Sequence, residues 1–280
     1  MKVARSLAAY AELSAEHRIN PPIALVPTMG ALHEGHRSLI RLARARAELV
    51  VVSIFVNPLQ FGPGEDFDRY PRSLDDDLAV CEAEGVDVVL APAVSDLYRE
   101  DRQVTVSAGQ LGRVLEGAAR PGHFDGVLTV VLKLFHIVNP RLAVFGQKDA
   151  QQLACIQRMV LDLNLDIEVV GAPIVREPDG LAASSRNAYL SPAERVLARS
   201  LSAALEKAGT SPSVPAARSA AYEILDRAAD NPAFGLDYAT LVDPATFAEV
   251  PDDHTGHALF VVAARVGSTR LIDNATMTFG

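Results

Sequence analysis

A chain of 280 residues, 49% of them hydrophobic, is long enough to bury a large core as one big domain or two modest ones. Its formal net charge of −9, with no clustered Lys/Arg face, argues against nucleic acid, whose binding rests on basic side chains that release counterions. The most apolar run, Leu49 to Val56, is far below the ~20 residues a bilayer-crossing helix needs, and residues 1–18 lack the unbroken apolar core of an export signal.

In chain order, short β-branched runs alternate with segments of helical period. IALVPT (23–28) reads as a buried strand and leads through PTMGALHEGH into a helix over His36 to Ala47. LVVVSIFV (49–56) is a second strand, followed by a helix from Ser73 to Glu84 that Gly85 stops; Ser73 and Asp76 have the spacing of a capping box. VDVVLAP (86–92), a helix over Phe124 to Val138, RLAVFG (141–146), a helix over Ala150 to Leu163 and DIEVVGAP (166–173) complete the series. Cys81 and Cys155 fall inside two of these helices without ligand spacing, so they read as buried free thiols of a reducing, cytoplasmic compartment.

After Val175 the pattern changes. Ser191, Pro192 and Glu194 supply an N-cap, a proline at the first helical position and a reciprocal acid for a helix reaching about Ala208. TSPSVP (210–215) breaks the chain before a second Ala-rich helix, and strands follow at 236–243, 258–266 and 269–277, the last two joined by a Gly267-Ser268 turn. The expected fold is α/β, a Rossmann-like parallel sheet flanked by helices, with a smaller C-terminal α+β domain; the boundary is expected between residues 174 and 175.

Four strand-exit segments hold the polar chemistry. The turn from Pro27 to His36 joins a strand to a helix, where free N–H groups and a partial positive charge suit phosphate. Gly30 and Gly35 allow close backbone approach, and His33 and His36 could face the same phosphates; a plain helix cap is the competing reading. HEGH is one residue short of the HExxH zinc spacing. Gln60 follows the second strand, and its amide can read a hydroxyl or a carboxylate without adding charge. Lys148 stands at the mouth of the sheet, placed to neutralise a triphosphate. Ser184, Ser185 and Arg186 group two hydroxyls with a guanidinium, beyond a Pro178-Asp179-Gly180 turn, in a segment that could close as a lid. Asp75 to Asp77 could help hold Mg²⁺, although a helix dipole favours acids at its first turn in any case.

HxGH at this position resembles the nucleotidylyltransferase superfamily, and PTMGALHEGH resembles the pantothenate synthetase (pantoate–β-alanine ligase) family. FVNPLQFGPGEDFDRYPR, RPGHFDGV, FGQKDAQQ and SSRN are similar to the same family, in the same order along essentially the whole chain. The resemblance implies an ATP-dependent ligase that condenses (R)-pantoate with β-alanine through a pantoyl adenylate, releasing AMP and pyrophosphate, with Mg²⁺ bridging the ATP phosphates. It implies that Met29, Gly30, Ala31, Leu32, His33, Glu34, Gly35 and His36 contact ATP, His36 lying nearest the reacting phosphate. Gly146, Gln147, Lys148, Asp149, Val175, Ala183, Ser184, Ser185 and Arg186 would complete the nucleotide site; many relatives carry Met where this chain has Ala183. Gln60 and Gln152 would hold the acid and later the amine, with Asn57, Arg120 and His123 supporting that pocket. The family also implies a homodimer. Two alternatives stand beside it: another HxGH transferase, including a tRNA synthetase fragment, and a non-catalytic nucleotide-binding module.

Overall fold

A computed structural model describes residues 1–16 and 22–280, so the last two residues of the amino-terminal segment discussed above lie outside the described residues. Six strands, β1 (Lys2–Ala4), β2 (Ile23–Thr28), β3 (Leu49–Ile54), β4 (Val88–Leu90), β5 (Leu142–Gly146) and β6 (Glu168–Ala172), form an all-parallel sheet in the order β1-β4-β3-β2-β5-β6. Their helices are α1 (Leu7–Glu16), α2 (Glu34–Arg46), α3 (Leu74–Ala83), α4 (Val94–Leu97), α5 (Glu116–Ala119), α6 (His123–Val138) and α7 (Ala150–Asp162).

The strands are apolar at nearly every position because both faces are covered. Leu25, Val51, Leu90, Ala143 and Phe145 pack with residues of α6 and α7, including Phe124, Leu134 and Ile156. Their alternate neighbours Ala24, Val26, Val52, Val89 and Val144 pack with Leu39, Ile40 and Ala43 of α2 and Cys81 of α3. The period-2 alternation of side chains thus feeds two separate cores from one run of sequence. From β2 the chain proceeds outward to β3 and β4, and from β5 it proceeds the other way to β6, so a crevice opens past the carboxyl ends of β2 and β5.

Beyond β6, α8 (Pro192–Gly209) and α9 (Val214–Ala229) pack on an antiparallel sheet of β7 (Phe234–Val242), β8 (Gly256–Val266) and β9 (Thr269–Phe279), in that order. This layer has its own core, built on Leu201, Leu205, Ala217, Leu225 and Phe260. Phe247, Leu259 and Val261 pack against Leu115, Ala150 and Ala154 and join the two layers.

Four local expectations need correction. β1 adds a sixth strand, three residues long and therefore without a readable period. α2 starts at Glu34, two residues early, because His33 serves as its N-cap. Ser73 does precede α3, but with ψ 66 it lies outside the extended conformation of a capping residue and its hydroxyl makes no cap bond. The break at 210–215 is shorter than its composition suggests: Ser213 accepts from the Ala216 N–H, and Val214 and Pro215 already belong to α9. Cys81 and Cys155 are buried and unpaired, and burial pushes both thiols up to about 12. No helix among the described residues is long and apolar enough to cross a membrane.

Candidate active site

The turn after β2 is shaped by two groups that never reach the cavity. Ala31 takes φ 50, the left-handed region that costs a non-glycine residue about 1 kcal/mol or more. The carboxylate of Asp77 offsets that strain by accepting from Ala31 N–H at 3.0 Å and Leu32 N–H at 2.7 Å. Asp77 is therefore a backbone anchor of this turn, and burial raises its pKa.

On the far side of the turn the imidazoles cap α2. The Gly35 N–H donates to Nδ1 of His33 at 3.1 Å, and the His33 N–H donates to Nδ1 of His36 at 3.3 Å. A Cβ at Gly35 would lie 2.8 Å from the His33 ring, so only glycine lets this imidazole fold back over the helix start. An Nδ1 that accepts is unprotonated, so each neutral ring carries its proton on Nε2. Burial, then the Lys148 ammonium, lowers His33 to about 4; burial, then His33 and Lys148, lowers His36 to about 3. The caps use Nδ1 and leave two neutral Nε2–H donors, with ring centroids 4.1 Å apart, so capping does not exclude the chemical reading.

Lys148 follows β5 in a short turn, Gln147–Asp149. Asn274 on β9 donates to the carbonyls of Gln147 and Lys148 at 2.9 and 2.8 Å, so the second sheet positions this loop. Among the described residues the Lys148 ammonium makes no hydrogen bond or ion pair, and neither does the Arg265 guanidinium on the same cavity.

Past β3, Asn57 is 1% exposed and fully committed. Its amide N–H groups reach Gln60 Oε1 and Gly126 O, both at 3.1 Å, and its Oδ1 accepts from Leu59 N–H at 3.3 Å and Tyr98 O–H at 2.9 Å. It positions Gln60, whose own amide donates to Met29 Sδ at 3.0 Å. The Gln60 carbonyl accepts from His123 Nδ1 at 2.7 Å and Arg120 at 3.1 Å, while Arg120 also donates to His123 Nε2 at 3.1 Å. Burial, then the Arg120 charge, lowers His123 to about 4, which fits that neutral tautomer.

These groups surround one cavity of about 570 Å³ between the two layers. Its lining includes Met29, His33, Gly35, His36, Asn57, Gln60, Arg120, His123, Gly146, Lys148, Asp149, Gln152, Val175, Ala183, Ser184, Ser185 and Arg186. Five expected residues fall outside that wall. Gly30 and Ala31 form the turn behind it, Leu32 packs into the core beneath α2, and Glu34 faces out to pair with Arg41. Gln147 is exposed; its side chain lies against Gly171, and it contributes its carbonyl to Asn274.

A family model described as pantoate-beta-alanine ligase matches residues 2–276. The chain belongs to the pantoate-β-alanine ligase family. It is 56% identical to the pantothenate synthetase of Acidothermus cellulolyticus, over 94% of this chain and 88% of that protein. The Thermobifida fusca pantothenate synthetase is 60% identical, over 91% of this chain and 90% of its own length. The crystal structure of pantothenate synthetase from Thermus thermophilus matches with a TM-score of 0.90 at 46% identity, covering 98% of this chain and 99% of that one. Pantoate-beta-alanine ligase from Francisella tularensis, solved with beta-gamma ATP and β-alanine, matches with a TM-score of 0.83 at 31% identity, over 98% and 97% of the two chains.

In this ligase the cavity is also lined by residues that sequence reasoning missed. Glu65, Asp66 and Tyr70 line it from the loop after Gln60, and Arg265, Ser268, Thr269 and Arg270 line it from the β8–β9 hairpin. Glu65, Asp66 and Tyr70 stand within the 55–72 motif, but their partners Arg120, Arg186 and Ser185 are distant in sequence, so the motif alone does not announce their place. The segment with the Ser-Ser-Arg triplet is folded: the Pro178-Asp179-Gly180 turn closes with Gly180 N–H donating to Glu177 O at 2.8 Å, and Ser185–Tyr189 form a short 3₁₀ turn. Arg176 pairs with Asp273 at 2.7 Å, Asn187 donates to Ala182 O at 3.0 Å, and Arg195 pairs with Asp179 at 2.8 Å.

Proposed function

We propose that this cavity activates (R)-pantoate with ATP as pantoyl adenylate and passes the acyl group to β-alanine, giving pantothenate, AMP and pyrophosphate. The observation that carries the reading is the convergence of two neutral Nε2–H imidazoles and the uncommitted Lys148 ammonium at the sheet's switch point, 3₁₀ and helix starts on either side. Neutral imidazoles at neutral pH act as hydrogen-bond donors to the α-phosphoryl oxygens as charge builds in the transition state, with no proton leaving the ring. Lys148 offsets the charge of the departing pyrophosphate.

Gln60 and Gln152 face the acid; Asn57 and Met29 hold the Gln60 side-chain amide while Arg120 and His123 hold its backbone carbonyl, so the carboxylate is aligned before it attacks. Val175, Gly146 and Asp149 fit the nucleoside, and Ser184, Ser185 and Arg186 fit the phosphates. Mg²⁺ is assigned to the phosphate oxygens of ATP, where it would neutralise charge on the leaving group; Asp77 has both oxygens committed to the turn.

Residues 1–174 form the catalytic unit of this scheme and residues 175–280 its cover, in keeping with their separate cores. The family resemblance supports a homodimer, and the two free thiols support a cytoplasmic setting. With β-alanine omitted, labelled pyrophosphate is expected to exchange into ATP only when pantoate is present. Exchange that ignores pantoate, or that needs a different acid, would favour another HxGH transferase; tight ATP binding without exchange would favour a binding module.

A further inference from the structure

Glu65 and Asp66 are adjacent on the loop after Gln60, and each holds a different arginine of the cavity. Glu65 pairs with Arg120 at 2.6 Å on the Gln60–His123 side. Asp66 takes the Nε and Nη2 edge of Arg186, both at 2.9 Å, on the Ser184–Ser185 side. Two further links join the same segments: Tyr70 O–H and Ser185 Oγ lie 3.2 Å apart, and Tyr189 O–H donates to Arg69 O at 3.1 Å. The Arg186 guanidinium also sits 6.0 Å from the Tyr70 ring centroid.

A guanidinium has five N–H donors in one plane. A side-on carboxylate uses two, fixes the plane, and leaves three N–H groups, including both on Nη1, for a second anion. We propose that Asp66 is a positioning residue for ATP: it holds Arg186 so that the free edge of its guanidinium meets the triphosphate. The inference rests on the reading of Arg186 as a phosphate ligand.

The competing possibility is that Asp66 is a stand-in for phosphate, released when ATP binds. Burial argues against it. The Asp66 side chain is only 14% exposed and Arg186 28%, so release would strand a largely buried carboxylate without its partner. The Arg186 hydrogen bonds also hold the Asp66 carboxyl below its ordinary pKa against the opposing effect of burial, so the pair is charged at neutral pH. An arginine already held in place loses little side-chain freedom when it binds, which is worth roughly three- to tenfold in affinity.

Titration calorimetry with ATP tests this on the full chain, comparing wild type, Asp66→Asn, Asp66→Glu, Arg186→Ala and the Asp66→Asn/Arg186→Ala double variant. Asp66→Asn is expected to weaken ATP binding roughly three- to tenfold, Asp66→Glu to recover part of the loss, and Asp66→Asn to add nothing once Arg186 is gone. Unchanged or tighter ATP binding by Asp66→Asn would overturn the proposal, as would a further loss of the same size in the Arg186→Ala background. Because the readout is ATP binding alone, it stands apart from pantoate-dependent pyrophosphate exchange by wild type, whose absence would instead sink the ligase chemistry proposed above.

Discussion

The two imidazoles cap a helix and still leave donors for the chemistry proposed above. Their Nδ1 atoms satisfy backbone N–H groups that would otherwise be orphaned, and that commitment selects the tautomer that donates from Nε2. Removing one such donor costs about 10²- to 10³-fold in the step it stabilises, so His36→Ala is expected to slow pantoate-dependent exchange by that factor. Exchange at the wild-type rate by a folded variant would remove His36 from the chemistry. With His33 lowered to about 4 and His36 to about 3, neither ring gains charge near the ordinary value of 6.5, and their donor role persists down to about pH 5. Unfolded, both would take up protons below about pH 6.5; stability therefore falls as pH drops through that value and levels off beneath the folded-state values.

At the scale of elements, the site depends on how closely α6 approaches the turn that carries Gln60. A Cβ at Gly126 would sit 2.2 Å from the Leu59 carbonyl oxygen, so only glycine permits this contact and the Asn57 bond to the Gly126 carbonyl. Gly126→Ala is expected to cost about 1–3 kcal/mol in chemical denaturation and to raise the KM for pantoate by shifting Gln60. An unchanged denaturation midpoint together with an unchanged KM would show that α6 does not set this pocket. The elements themselves were largely legible, because strands buried on both faces read as unbroken β-branched runs and amphipathic helices carry their own period. Ser73 shows the limit of such reading: its spacing to Asp76 fits a capping box, yet the acid that matters is Asp77, bonded to a turn 45 and 46 residues away.

Across the whole molecule, the cavity is made by two layers joined by charge as well as by the apolar contacts of Phe247. Glu65, Arg120, Glu116, Arg270 and Asp237 alternate in sign, with contacts of 2.6, 3.6, 2.6 and 2.6 Å, from the Gln60 loop across α5 to β9 and β7. Asn274 adds a second tie by holding the Lys148 loop. The HEGH turn, Gln60 and Lys148 were legible because each follows a strand, and Ser-Ser-Arg because it groups two hydroxyls with a guanidinium. The Asp66–Arg186 and Glu116–Arg270 pairings, 120 and 154 residues apart, were not, because nothing local to one partner marks the other. Convergence of these loops beside an acid pocket makes one chemical demand, that a pantoate oxygen become the bridge to the α-phosphorus. Turnover with pantoate labelled by ¹⁸O in its carboxylate is expected to deliver one labelled oxygen to AMP; unlabelled AMP, or label in orthophosphate beside ADP, would contradict it.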